Sequence, residues 1–250
     1  MTAENRRNEH MKGAYAKYWS SAREKVYGFM PYDQFLIDTI KGMCDEQLDK
    51  VCEVGIGTGW PIAATLAQSG LSVSGVDIAS TLVEKCNENW ANIQAEVADA
   101  ADLHYLDDSF DLTYCVHSSW FLPRLKKSIS EMFRVTRSKG YILIDIMNTN
   151  NPIIQKVYRQ HVFENTNVFG KIYKTIKNTL KLILQSGTQD WPLLVSYEPS
   201  NPNTIIEHLS EFGGSNFELY AWEDNNSEKL TVSDRDGYHD YGRIIICCRV

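Results

Sequence analysis

The stretch Val51-Cys52-Glu53-Val54-Gly55-Ile56-Gly57-Thr58-Gly59-Trp60-Pro61 constrains this chain more than any other segment. A short apolar run reads as a buried parallel strand, and it ends in three glycines at alternate positions. Glycine lets the backbone turn sharply and approach a ligand with no side chain in the way. Pro61 suits the first turn of a helix, where its missing N–H leaves nothing unsatisfied. The helix start then offers N–H donors to a polar or anionic group. The dinucleotide fingerprint G-x-G-x-x-G would need glycine at position 60, where Trp60 stands. An indole there leaves little room for a pyrophosphate. The turn therefore points away from NAD and an oxidoreductase, towards a smaller nucleoside ligand.

Leu71-Ser72-Val73-Ser74-Gly75-Val76-Asp77-Ile78 reads as a second strand ending in an acid. Asp77 lies 22 residues after Gly55, near the ~20 of a carboxylate that accepts ribose hydroxyls. Val97-Ala98-Asp99-Ala100-Ala101-Asp102-Leu103 follows, then Phe110-Asp111-Leu112-Thr113-Tyr114-Cys115-Val116-His117. The last of the set runs from Glu131-Met132-Phe133-Arg134-Val135 through Gly140-Tyr141-Ile142-Leu143-Ile144-Asp145.

In this order, from about position 48 to 148, these segments resemble the class I S-adenosylmethionine-dependent methyltransferases, in their small-molecule type 11 branch. The resemblance implies S-adenosylmethionine as cofactor and S-adenosylhomocysteine as product. It implies that Gly55, Gly57, Gly59 and the neighbouring backbone line the methionine part, with Glu53 bracing the turn or reaching the methionine amino group. Asp77 would take the ribose hydroxyls and Ile78 would pack on the adenine. Asp99 would accept from the adenine amino group, the Ala100 N–H would meet a ring nitrogen, and Val116 would face the methyl donor. For Asp77 and Asp99 the rival reading is a helix cap or a solvated turn.

With 250 residues, 43% of them hydrophobic, the chain can bury one substantial core. A formal charge of −7 disfavours a nucleic-acid substrate. The first fifteen residues hold no apolar signal-peptide core, and no run approaches a membrane span. The six cysteines form no CxxC pair and no zinc pattern, which reads as reduced core thiols in a cytoplasmic protein with no metal site.

The remaining pattern alternates strands and helices: strands at 51–54, 72–76, 94–98, 111–116, 140–147, 216–222 and 242–249, and helices at 61–69, 80–91, 124–136 and 203–212. The fold expected is α/β: a Rossmann-like doubly wound sheet, mostly parallel with an antiparallel last strand, plus a helical lid insertion. One domain spans 1–250. Residues 1–45 form an N-terminal helical cap, 46–148 the cofactor-binding core, 149–200 the substrate lid, and 201–250 a helix and strands completing the sheet. The acidic segment 223–241 reads as a long loop.

The sulfonium of such a cofactor already activates its methyl group, so the protein has to align nucleophile and methyl and exclude water. An oxygen nucleophile also needs a base. His117, emerging after the strand that faces the methyl, is the candidate, against a rival role as a cofactor contact or helix cap. Trp120 reads as a wall of an aromatic or apolar substrate pocket. Tyr15, Tyr18 and Trp19 share a helix face in the cap: Tyr18 would close over the cofactor and Tyr15 and Trp19 over the substrate, with plain core packing as the rival. His161 in the lid is a further substrate candidate. The lid is locally basic, through Lys156, Arg159, Lys171, Lys174, Lys177 and Lys181, which reads as a solvated helix face or as an attractor of anionic partners.

The function expected is methyl transfer to a small-molecule acceptor, at oxygen. The alternatives are an N-methyltransferase, which needs no strong base, and an inactive cofactor-binding partner subunit. The acceptor, the oligomeric state and the role of the basic helix stay open.

Overall fold

The coordinates are a computed structural model, which describes residues 28–43, 48–156, 158–159, 169, 199–223, 226–230 and 241–250. Strand β1 (Lys50–Val54), helix α2 (Ile62–Gln68), β2 (Ser72–Asp77), α3 (Ser80–Asn89) and β3 (Ile93–Val97) follow helix α1 (Pro31–Gly42). Then come β4 (Phe110–Cys115), a 3-10 turn (Ser119–Phe121), α4 (Leu125–Val135) and β5 (Thr136–Met147). Helix α5 (Pro202–Glu211), β6 (Ser215–Glu223), β7 (Asn226–Leu230) and β8 (Arg243–Arg249) complete the sheet.

Eight strands form one sheet in the order β3-β2-β1-β4-β5-β8-β6-β7. The pairs β1–β2, β1–β4, β2–β3 and β4–β5 are parallel. Strand β8 runs antiparallel between β5 and β6, and β7 is antiparallel to β6 at the edge. Successive side chains of a strand point to opposite faces, and here each face is covered. Cys52, Val54, Ile142 and Ile144 share one core with Ile129, Met132 and Phe133 of α4 and with Ile205 and Leu209 of α5. Val51, Leu112 and Leu143 share the other with Leu36 and Ile40 of α1 and with Ile62 and Leu66 of α2. Burial on both faces is why the central strands read as near-continuous apolar runs. In α4 the inward residues fall at i, i+3 and i+4, and each stabilises the layer by about 1.5–3 kcal/mol.

Two elements differ from the sequence pattern. Strand β5 starts at Thr136 rather than 140. Gly140 looked like a strand start; it lies inside the strand, where an added Cβ would come 2.8 Å from the Asp111 carbonyl of β4. Thr136 is tied in by its hydroxyl, which donates to the Met132 carbonyl at 2.7 Å. The second difference is β7, in the stretch expected to be loop. Its sequence, NSEKL, is polar. It joins through backbone pairing with β6 at a sheet edge, where polar residues are the norm. Among the described residues no helix is long and apolar enough to cross a membrane.

Candidate active site

The switch point between β1 and β4 is where an open α/β sheet leaves a crevice beyond its strand ends. Here that crevice encloses about 1130 Å³, mouth included. Its floor is the glycine turn. The Gly55 and Ile56 amides donate to the Val76 carbonyl at 2.8 and 3.0 Å, which folds the turn against β2. Gly55 and Gly57 have φ of +84° and +56°, in the left-handed region that favours glycine. Their surroundings differ. A Cβ on Gly55 would sit 2.4 Å from the Ser118 hydroxyl, so the close approach there is to the protein's own loop. A Cβ on Gly57 would meet nothing within 4 Å, leaving that glycine's face of the crevice open for a ligand. At Gly59 the close neighbour is Cys86 of α3, 2.8 Å from an added Cβ.

Asp77 ends β2 with both carboxylate oxygens braced: one accepts from the Gly57 amide at 3.0 Å, the other from the Ala79 amide at 2.9 Å. Burial pushes its carboxyl above the ordinary value, opposed by the Ala79, Gly57 and Ile78 amides. Glu53, only 5% exposed, accepts from the Tyr114 hydroxyl at 3.1 Å. Burial and then the Glu53 charge push the Tyr114 phenol well above its usual range. At the other end of the crevice Asp99 accepts from the Ala101 amide at 2.9 Å and from Arg124 at 2.5 Å. Glu53, Gly55, Gly57, Gly59, Asp77, Ile78, Asp99, Ala100, Val116 and His117 all line this one crevice. Trp60 lines it too, stacked on Trp90 at 6.0 Å between ring centres.

His117 is held on every side. Its backbone, at φ +57°, donates to Asp145, which is fully buried. Nε2 lies 2.8 Å from the Asp33 carboxylate and Nδ1 lies 3.2 Å from an Arg243 nitrogen. A guanidinium can only donate, so Nδ1 accepts and Nε2 carries the proton given to Asp33. Both ring nitrogens are thus engaged in a buried network. Arg243 is anchored on Asp145 through two nitrogens and is sandwiched between the Tyr32 and Trp120 rings, 4.5 Å from each centre. The Tyr32 hydroxyl donates to Asp145 at 2.7 Å. Burial pushes the Tyr32 phenol well above its usual range, while Arg243 opposes that shift.

Among the described residues lining this crevice Trp120 does not appear. It is 4% exposed, packed with Ala79, Leu82 and Phe121 and capped by Arg243. The apolar wall comes instead from Phe121, Leu122 and Leu82. Tyr15, Tyr18, Trp19 and His161 lie outside the described residues, as do most of segment 149–200 and the lysines at 171, 174, 177 and 181. Sequence reading passed over Asp33, Asp145, Arg243 and Arg124. Only Asp145 carried a signal, as one acid inside the apolar run Ile142–Ile146.

Residues 52–144 match the family model of a methyltransferase domain. Those residues form a methyltransferase domain, on the fold of S-adenosylmethionine-dependent methyltransferases. This domain is similar to the sterol 4-C-methyltransferase strm-1 of Caenorhabditis elegans, 30% identical over 106 residues, or 40% of this chain and 31% of that protein. A demethylmenaquinone methyltransferase of Staphylococcus haemolyticus is 25% identical over 201 residues, 77% of this chain and 83% of that protein. The chain spans only 31% of the strm-1 protein's length, and 36% and 46% of two further curated relatives' lengths. The fold matches a solved Thermotoga maritima S-adenosylmethionine-dependent methyltransferase, described as a possible histamine N-methyltransferase. The TM-score is 0.65 at 13% identity, covering 96% of this chain and 99% of that one.

The methyltransferase domain's crevice fits the cofactor its family uses. The open face at Gly57 is a cradle that any Cβ would narrow. A braced carboxylate at Asp77 suits a pair of hydroxyl donors, a second at Glu53 suits an ammonium group, and Ile78, Ala98 and Leu82 suit a flat purine.

Proposed function

We propose that the protein transfers a methyl group from S-adenosylmethionine to a hydroxyl oxygen of a small, largely apolar molecule. The observation that carries this reading is the Asp33–His117 pair standing beside the crevice whose floor is the glycine turn and whose rim is Asp77. When bound, the cofactor supplies an electrophilic methyl on sulfur. Asp77 and Glu53 hold it by its hydroxyls and its ammonium, and Gly57 lets it sit against the backbone. Phe121 and Leu122 exclude water from the acceptor side.

His117 acts as the base. Its Nδ1 meets Arg243 at 3.2 Å, and Arg243 is anchored independently on Asp145. Giving up that contact frees a lone pair for the acceptor's proton. Asp33, fully buried, orients the ring through Nε2 and stabilises the imidazolium that forms. Relatives named for sterol and demethylmenaquinone acceptors support a small apolar substrate. A second reading, transfer to carbon, is favoured by the name of the sterol relative and uses the same base.

The test is turnover of a panel of phenols, sterols, quinols and amines, followed by S-adenosylhomocysteine release and by NMR of the methylated product. Methylation at oxygen supports the proposal. Methylation at nitrogen that survives His117→Ala would replace it with the amine reading. Cofactor binding with no turnover across the panel would favour a partner-dependent subunit.

A further inference from the structure

Asp99 and Arg124 form an ion pair inside the crevice, and nothing in the reaction outlined above uses the arginine. The Arg124 Nη2 donates to one Asp99 oxygen at 2.5 Å, while the other accepts from the Ala101 amide at 2.9 Å. Both residues line the crevice and both are about two-thirds buried, at 34% and 29% side-chain exposure. The arginine's own backbone is rigid. Its carbonyl accepts from the Ser128 amide at 2.9 Å and from the Ser128 hydroxyl at 3.2 Å, which locks it into the first turn of α4. Helix α4 is in turn fixed to the sheet by Ile129 and Met132, both fully buried.

The Asp99 carboxylate is therefore clamped from two directions, by the backbone of its own loop and by a side chain from a different element. Each carboxylate oxygen has two lone pairs, more acceptor sites than the Arg124 and Ala101 bonds occupy. An acceptor fixed in this way favours a base that presents N–H donors and repels one that presents a carbonyl oxygen. Such an edge-on pattern separates a 6-amino purine from a 6-oxo purine.

We propose that Arg124 sets the nucleobase specificity of this crevice, by holding the Asp99 carboxylate in the orientation that accepts from the 6-amino group of a purine. This rests on the S-adenosylmethionine reading above. Arg124 is a positioning residue: it acts through Asp99 and needs no contact with the transferred methyl. The adenosyl end is read by the Arg124–Asp99 pair, and the ribose is read separately by Asp77.

The experiment is calorimetric binding of S-adenosylhomocysteine, its 6-deamino analogue and its 6-oxo (inosyl) analogue to wild type and Arg124→Met. Methionine keeps the apolar stem and removes the fork. Arg124→Met is expected to weaken S-adenosylhomocysteine binding by about tenfold while leaving the 6-deamino analogue within about twofold, because only the first ligand has a donor to lose. Discrimination against the inosyl analogue should shrink with it. Equal losses for all three ligands would mean a merely structural role and overturn the proposal. Tighter binding of S-adenosylhomocysteine would show Arg124 to be a competitor for Asp99, and would overturn it as well. If Arg124→Met does not fold, Arg124→Lys carries the same comparison, with the same selective loss expected at smaller size. Failure of the wild type to bind S-adenosylhomocysteine would overturn the cofactor reading together with this one. Binding with unchanged discrimination would overturn this one alone.

Discussion

The His117 Nε2 lies 2.8 Å from the Asp33 Oδ1, joining two residues 84 positions apart in sequence. One sits in the first turn of α1, the other just beyond β4. The contact ties α1 to the loop after β4 and fixes the imidazole's orientation. His117→Ala is expected to lower kcat by at least about 100-fold for a hydroxyl acceptor, the usual size of a general-base contribution. Cofactor affinity should move by less than threefold. Asp33→Asn should lower kcat by a smaller factor and shift the acidic limb of the pH–rate profile. Turnover that is indifferent to His117→Ala, measured under single-turnover conditions, would remove the histidine from the chemistry.

Arg243 is the keystone of the buried network, bonding the fully buried Asp145 through two nitrogens. Removing one partner of a buried ion pair leaves an uncompensated charge and destabilises by about 3–5 kcal/mol. Arg243→Met should therefore lower Tm by on the order of 10 °C. The double variant with Asp145→Asn should recover part of that loss, because the orphaned charge is gone. Differential scanning calorimetry of the wild type and both variants checks both statements.

Two neighbouring glycines should respond differently to alanine. Gly55→Ala drives a Cβ to 2.4 Å from the Ser118 hydroxyl at a φ of +84°. Overpacking together with left-handed strain should destabilise by about 2–4 kcal/mol, and trimming Ser118 to alanine should relieve only the first part. Gly57→Ala meets no neighbour within 4 Å and carries only the conformational term. It should cost about 1–2 kcal/mol of stability while weakening S-adenosylhomocysteine binding, because the new methyl group would narrow the crevice that Gly57 lines. Urea unfolding set beside calorimetric binding separates the two effects.

Asp77 gives a pH signature. Burial raises its carboxyl above the ordinary value of 3.8 in the folded state. A raised carboxyl pKa means the folded protein binds the proton more tightly than the unfolded chain. Its contribution to stability is full below the unfolded pKa and is lost as pH rises through the folded pKa. Relative to Asp77→Asn, the wild type should therefore gain stability as pH falls from neutrality, seen in denaturant titrations across that range. Ligand binding should run the opposite way. On the proposed reading ribose hydroxyls would donate to the ionised carboxylate, so wild-type affinity for S-adenosylhomocysteine should fall as acid protonates Asp77. Loss of the carboxylate in Asp77→Ala should weaken binding by about 1.5–3 kcal/mol at neutral pH, or roughly 10- to 150-fold.

Much of this was written in local sequence. The strand–glycine–helix turn, the acids closing β2 and following β3, and the apolar runs of the central strands are all short-range signals. Periodicity and turn chemistry act within a few residues, so they are visible without the fold. Those signals set the order of elements, and nine crevice residues that they and the family resemblance named, from Glu53 to Val116, line one crevice. Polar β7 was missed because edge pairing is made by backbone and leaves little side-chain pattern. Which way Trp120 turns has no local mark after β4; packing against Leu82 and Arg243 decides that. The setting of His117 belonged to the tertiary structure in the same way. Its partners Asp33, Asp145 and Arg243 come from α1, β5 and β8, between 28 and 126 positions away. Charges so far apart in the chain carry no spacing rule that links them. They meet because two faces of one sheet had to be buried, and in that closing the strand ends were drawn together around a few polar groups that then had to satisfy one another.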